Sequence, residues 1–137
     1  MGRRGLIRTY LDSGVLIAGS RGTSAAVRSV FDLVPDPGRE LVSSAFVRLE
    51  VLPKAVHHRR LGEVEFYRWV FARVVAWASL DAALVERAER EALDHGLSAT
   101  DALHVASAIA LGAAELVTTE RPTKPIHRAT GVAVVAL

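Results

Sequence analysis

Residues 98–120 read SATDALHVASAIALGAAELVTTE, and the order of elements within this stretch decides the fold class. Ser98 stands where a helix N-cap belongs, and Asp101 follows at the three-residue spacing of a capping box. The Ala-rich run continues to Leu111, where Gly112 marks a stop. A short apolar strand, Leu116–Thr118, comes next and ends in Thr-Thr-Glu. One unit of the chain is therefore a helix that feeds a strand, with polar residues waiting at the strand's carboxyl end.

Working outward, the same alternation repeats. Residues 81–95 predict a helix, because Leu84, Ala88 and Ala92 share a stripe, Glu86–Arg90 and Arg87–Glu91 are i,i+4 pairs, and Gly96 sits at the C-cap. Residues 74–77 read as a strand and 62–73 as a helix. Leu41–Ser43 reads as a strand, followed by a helix that Ser43 or Ser44 caps and that runs to about residue 52, with Pro53 disturbing its end. Pro35 to Gly38 is a turn. Helical patterns occupy 13–19 and 23–34, the second capped by Thr23 or Ser24. Residues 6–10 form the first strand and 132–136 the last. Strands alternating with helices argue for a parallel sheet covered on both faces, with its site just beyond the carboxyl ends of the strands.

Composition narrows the function classes. A length of 137 residues fits one domain, residues 1–137, and half of them are apolar, enough for a core. The chain has no cysteine, so disulfides and thiolate metal sites are excluded, and any metal must be held by oxygen or imidazole. The apolar run before Asp12 is too short for a signal-peptide core, and no stretch reaches the roughly 18 apolar residues of a membrane span. A soluble, cytoplasmic protein without a membrane partner is expected. Seventeen Lys and Arg oppose 15 Asp and Glu, for a net charge of +2. Arg3 and Arg4 form one basic group. Lys54, His57, His58, Arg59 and Arg60 form a second, and Arg121, Lys124 and Arg128 a third. The last two are candidates for phosphate contact, while a solvated surface is the simpler reading.

Four segments each offer one carboxylate near an element end: YLDSG with Asp12, SSAFVRLEVL with Glu50, SATDAL with Asp101 and VTTERP with Glu120. Taken singly, each has an ordinary explanation. Asp12 suits a helix N-cap, Asp101 a capping box, Glu50 a surface helix position and Glu120 a loop. Together they make an oxygen-only donor set for hard cations such as Mg2+ or Mn2+. Two such ions about 4 Å apart can activate water and stabilise the leaving oxygen of a phosphodiester. A cluster of this kind repels itself when metal is absent, which raises some carboxyl pKa values. His104 lies three residues after Asp101, on nearly the same helix face, and reads first as a half-buried structural histidine. His57 and His58 read as solvated.

The ordered set YLDSGVLIA, SAFVRLEVLPKA and LSATDALHVASAIALGAAELVTTERP, over about residues 6–137, resembles the PIN-domain nucleases and especially their VapC-type toxins. The resemblance implies a three-layer α/β/α sandwich with a parallel sheet of about five strands. It implies Mg2+- or Mn2+-dependent cleavage of RNA, with Asp12, Glu50 and Asp101 as the main acids and Glu120 in the place of a fourth acid that is commonly Asp. A toxin of this type further implies an antitoxin partner and a homodimer. Two positions depart from the family pattern. Glu120 carries an extra methylene, and Gly14 stands where Ser or Asn is usual, so a supporting hydrogen bond is lost there unless Ser13, Thr118 or Thr119 replaces it. The alternative is a PIN-like domain that binds nucleic acid with little or no cleavage. A phosphoacceptor domain fits poorly, because only Asp12 lies near the first strand and Lys124, the candidate late lysine, sits among prolines. The aromatics Phe66, Tyr67, Trp69 and Phe71 suit either an interface or the core.

Overall fold

Strands β1 (Ile7–Leu11), β2 (Arg39–Ser44), β3 (Val74–Ala78), β4 (Glu115–Thr118) and β5 (Ala133–Ala136) form one sheet in the order β3-β2-β1-β4-β5. Every pairing is parallel. These are the features of a computed structural model that describes residues 5–22 and 24–137. Arg3, Arg4, Thr23 and the side chain of Ser24 lie outside the described residues, and with them the first basic group and the expected cap of the second helix.

Helices α1 (Ser13–Arg21) and α2 (Ser24–Leu33) connect β1 to β2, and α3 (Ala45–His57) and α4 (Leu61–Phe71) connect β2 to β3. Helices α5 (Ala82–His95) and α6 (Ala99–Ala110) carry the chain back across the sheet to β4. Parallel crossovers are right-handed, so connections that step in opposite directions cover opposite faces. Helix α1 accordingly packs on α2, α3 and α4, while α5 packs on α6 and on the 3-10 turn Pro125–Arg128. The result is the expected three-layer sandwich.

The core lies on both faces of β1, the central strand. Tyr10, Leu11, Val42, Val105 and Leu116 are fully enclosed, each large side chain contributing about 1.5–3 kcal/mol by burial. Phe66, Tyr67 and Phe71 are buried too, and half-buried Trp69 stacks on Phe31 at 5.4 Å between ring centroids. The aromatic run of α4 therefore serves the core.

Two local expectations fail for identifiable reasons. Pro53 does not end α3, which continues to His57. Proline removes the bond to the carbonyl four residues back and crowds it; that residue is Leu49, on the exposed side of α3, where the helix has room to adjust. Strand β2 begins at Arg39 rather than Leu41. Its polar first residues hide the strand pattern, but Glu40 pairs with Arg8, and Arg39 lies 3.3 Å from Glu115. No helix among the described residues is long and apolar enough to cross a membrane.

Candidate metal centre

Beyond β1 the chain turns toward β2, and beyond β4 it turns toward β5, on the other side. This reversal opens a crevice at the carboxyl ends of β1 and β4, the position where sheets of this kind bind ligands. Asp12 follows β1 directly and is buried. It caps α1, with one carboxylate oxygen accepting from the backbone N–H of Val15 at 2.9 Å. The Thr118 hydroxyl, at the end of β4, also hydrogen-bonds to Asp12 and accepts from the backbone N–H of Glu120 at 3.1 Å. The cap and the candidate ligand are thus the same side chain.

Glu50 reaches the crevice from α3. The Ser13 hydroxyl donates to it, and its Oε1 lies 3.4 Å from His104 Nε2. Asp101 sits in the first turn of α6, where its backbone N–H donates to Ser98 Oγ at 3.2 Å, as the capping spacing requires. One turn further on, His104 is buried, with Nδ1 3.0 Å from the Tyr10 hydroxyl. Tyr10 donates to Ser44 Oγ at 2.9 Å, and Ser44 caps α3 through the Val47 N–H at 3.2 Å. A single polar chain, Ser44–Tyr10–His104–Glu50–Ser13, therefore ties β2, β1, α6, α3 and α1 together beneath the crevice. A buried network of this kind holds its members in one arrangement.

The electrostatics separate the acids. Burial pushes the Asp12 carboxyl above the usual range and the nearby charge of Asp101 adds to this, while His104, Val15 and Thr118 pull the other way. Burial also raises Asp101, Glu120 raises it further, and His104 and Ser98 oppose them. Burial acts on Glu50 in the same sense but is outweighed by hydrogen bonds from His104 and Ser13 and by the imidazole's charge, so its carboxyl is held below the usual range. Asp101 thus repels buried Asp12 on one side and is repelled by exposed Glu120 on the other, and Glu50 is satisfied by protein partners. Among the described residues, no three His, Asp or Glu side chains stand ready to share one ion. The carboxylates of Asp12 and Asp101 nevertheless offer hard oxygens whose repulsion a divalent cation relieves, so their chemistry fits Mg2+ or Mn2+.

Glu120 is exposed and acts on Asp101 through its charge. Its backbone carbonyl accepts from His127 Nε2 at 2.9 Å. At Gly14, an added Cβ would stand 2.9 Å from Thr119 Oγ1, so Thr119 already occupies the space of the missing side chain. Ser13, in turn, is engaged with Glu50. His57 and His58 are exposed, whereas His104 is enclosed and more central than a half-buried structural histidine would be. Tyr10 and Ser44 were not expected at the site. Strand alternation places Tyr10 on the same face as Asp12, two residues on, and this was the one sequence signal that could have found Tyr10.

A family model described as PIN domain matches residues 9–121. The sequence finds no match among curated proteins. Among solved structures, the chain is similar to VapBC2 from Rickettsia felis bound to a DNA fragment from its promoter, with TM-score 0.70, 14% identity, and 96% of this chain and 99% of that chain covered. It is similar to a toxin-antitoxin complex from Klebsiella pneumoniae, with TM-score 0.69, 21% identity, and coverage of 93% and 96%. It is also similar to FitAcB from Neisseria gonorrhoeae, with TM-score 0.59, 24% identity, and coverage of 92% and 95%. At these identities the likeness establishes the fold.

Proposed function

The chain belongs to the PIN-domain family, and from that premise we propose that it is a Mg2+- or Mn2+-dependent endoribonuclease, the toxin of a toxin-antitoxin pair. The observation that carries the reading is that Asp12 is buried at the sheet's switch point, within electrostatic reach of Asp101. Charge kept in so unfavourable a place is explained by a cation that relieves it. Asp12 and Asp101 would hold the metal most directly, with Glu50 joining from α3 and Glu120 contributing from the rim, the last through water. Bound metal supplies the charge neutralisation and water activation that phosphodiester hydrolysis needs.

The chain's own residues do the positioning. Thr118 and the Val15 N–H fix the Asp12 carboxylate. Ser13 and His104 fix Glu50, and Ser98 anchors the turn that carries Asp101. Lys and Arg around the rim bind the RNA backbone, which makes affinity salt-sensitive. The partners in this reading are RNA, an antitoxin that blocks the rim, and a second copy of the chain, in the cytoplasm. The resemblance in fold to solved toxin-antitoxin complexes supports the antitoxin.

A second reading, nucleic-acid binding with little or no cleavage, is favoured by one observation: Glu50 is engaged with Ser13 and His104 rather than with Asp12 or Asp101. A panel of defined RNAs with Mn2+ separates the two. The nuclease reading expects cleavage by the wild type that disappears in Asp12→Asn and Asp101→Asn. Binding with no cleavage under any metal supports the second reading, and cleavage unchanged in both variants removes the assigned site.

A further inference from the structure

A cleft of about 160 Å³ adjoins the acidic centre, sharing Glu50 as part of its wall. Arg21 from the end of α1, Lys54 from α3 and Arg60 from the α3–α4 turn also line it. Three cations from three separate elements thus converge beside one carboxylate of the candidate metal centre. Glu63 lies 3.7 Å from Arg21 and 4.0 Å from Arg60, so its carboxylate draws both guanidinium groups toward the cleft that all three line. Lys54 makes no ion pair among the described residues and is exposed. It follows Glu50 by four positions, which places it one helical turn, about 5.4 Å, along the same face.

The turn that delivers Arg60 is built with some care. Arg59 N–H donates to Val56 O and Arg60 N–H to Ala55 O, the two bonds of a Schellman ending. That ending puts Arg59 at φ 52°, in the left-handed region where glycine is usual. Arg60 then opens α4, and its side chain lines the cleft.

The geometry points to a phosphate subsite: the cleft of Arg21, Lys54 and Arg60 holds the RNA phosphate next to the one at the acidic centre. This rests on the nuclease reading for its substrate class. The short step from Glu50 to Lys54 suits neighbouring phosphates of one strand, and an RNA backbone supplies negative charge on both sides of the scissile bond. A carboxylate-rich protein segment is the competing occupant. It is disfavoured because the cleft shares Glu50 with the acidic centre, so an anion there continues the backbone of a strand already held at that centre.

The test measures binding of a fluorescent single-stranded RNA by anisotropy across a salt series, in the cleavage-deficient Asp12→Asn chain without metal. Lys54→Ala and Arg60→Ala should each weaken binding several-fold for every RNA sequence, and each should make the log-log salt slope shallower by about 0.7. Lys54→Arg should restore the slope, and Arg90→Ala, on α5, should leave it unchanged. Circular dichroism shows that each variant is folded. Slopes for Lys54→Ala and Arg60→Ala equal to that for Arg90→Ala would overturn the subsite, as would a cleft-dependent affinity for poly-glutamate with none for RNA. If the wild type cleaves RNA while the slopes do not move, the subsite fails and the nuclease reading stands. If the slopes move but no RNA is ever cleaved, the subsite stands and the nuclease reading fails.

Discussion

Tyr10→Phe removes one oxygen from the centre of the polar chain under the crevice. The Tyr10 hydroxyl is fully enclosed and lies 2.9 Å from Ser44 Oγ and 3.0 Å from His104 Nδ1. Burial pushes the phenol far above its usual range, so it is a neutral hydrogen-bonding group at every working pH. Ser44 keeps its bond from the Val47 N–H, so its loss is about one net hydrogen bond, ~1 kcal/mol. His104 Nδ1 is left facing a phenyl edge, and a buried unsatisfied nitrogen costs ~1–3 kcal/mol. The sum is about 2–4 kcal/mol. Tyr67→Phe is the internal comparison, since its hydroxyl makes one partly exposed contact, 3.1 Å from Ser20, worth about 1 kcal/mol or less. Urea denaturation of both variants reads the difference directly. RNA cleavage by Tyr10→Phe under conditions where it stays folded should also fall, because His104 loses the contact that orients it toward Glu50. Equal stability losses in the two variants would refute the claim that Tyr10 anchors a buried network.

Other expectations follow from single positions. An added Cβ at Gly19 would meet Phe66 Cζ at 2.6 Å and Val30 Cγ1 at 2.8 Å, so Gly19→Ala should destabilise by about 1–2 kcal/mol after its helix-propensity gain. Gly62 has nothing within 4 Å of such a Cβ, so Gly62→Ala should stabilise by about 0.5–1 kcal/mol; urea midpoints of opposite sign check the pair. Arg59→Gly should stabilise by about 1 kcal/mol by relieving the positive φ, read by the same measurement. In metal-free protein, the raised Asp12 and Asp101 favour the fold fully below the ordinary aspartate value of about 3.9, and that contribution is lost as pH rises through their folded values. Glu50, held low, acts oppositely: its contribution is present above the ordinary glutamate value of about 4.3 and is lost as pH falls through its own. Asp12→Asn keeps the helix cap and should therefore raise the metal-free melting temperature more at pH 7 than at pH 4, which a thermal scan at each pH measures.

Much of this molecule was legible in its sequence because short helices and strands alternate with recognisable stops. Gly96 at φ 67° and Gly112 at φ 66° end their helices as glycine should. The start of β2 was not legible, because Arg39 and Glu40 form ion pairs with Glu115 and Arg8, residues far away in the chain. The persistence of α3 through Pro53 depended on the helix side on which Pro53 and Leu49 fall, the exposed one, a tertiary fact. The acids themselves were visible as element-end carboxylates. Their differing states were not: Asp12 and Glu50 are both carboxylates near element ends, but deep burial, with a smaller push from Asp101, raises the first, while Ser13 and His104 outweigh the shallower burial of the second and lower it. The cationic cleft was visible only in part, since Lys54 and Arg60 are close in sequence but Arg21 joins them through packing of α1 on α3 and α4.

Calorimetric titration of Mn2+ into the metal-free chain, beside folded Asp12→Asn and Asp101→Asn, goes to the heart of the matter. Saturable binding by the wild type is expected, weakening at least tenfold, ~1.4 kcal/mol, in each variant. Ion binding of equal strength in all three proteins, or none in any of them, would contradict it.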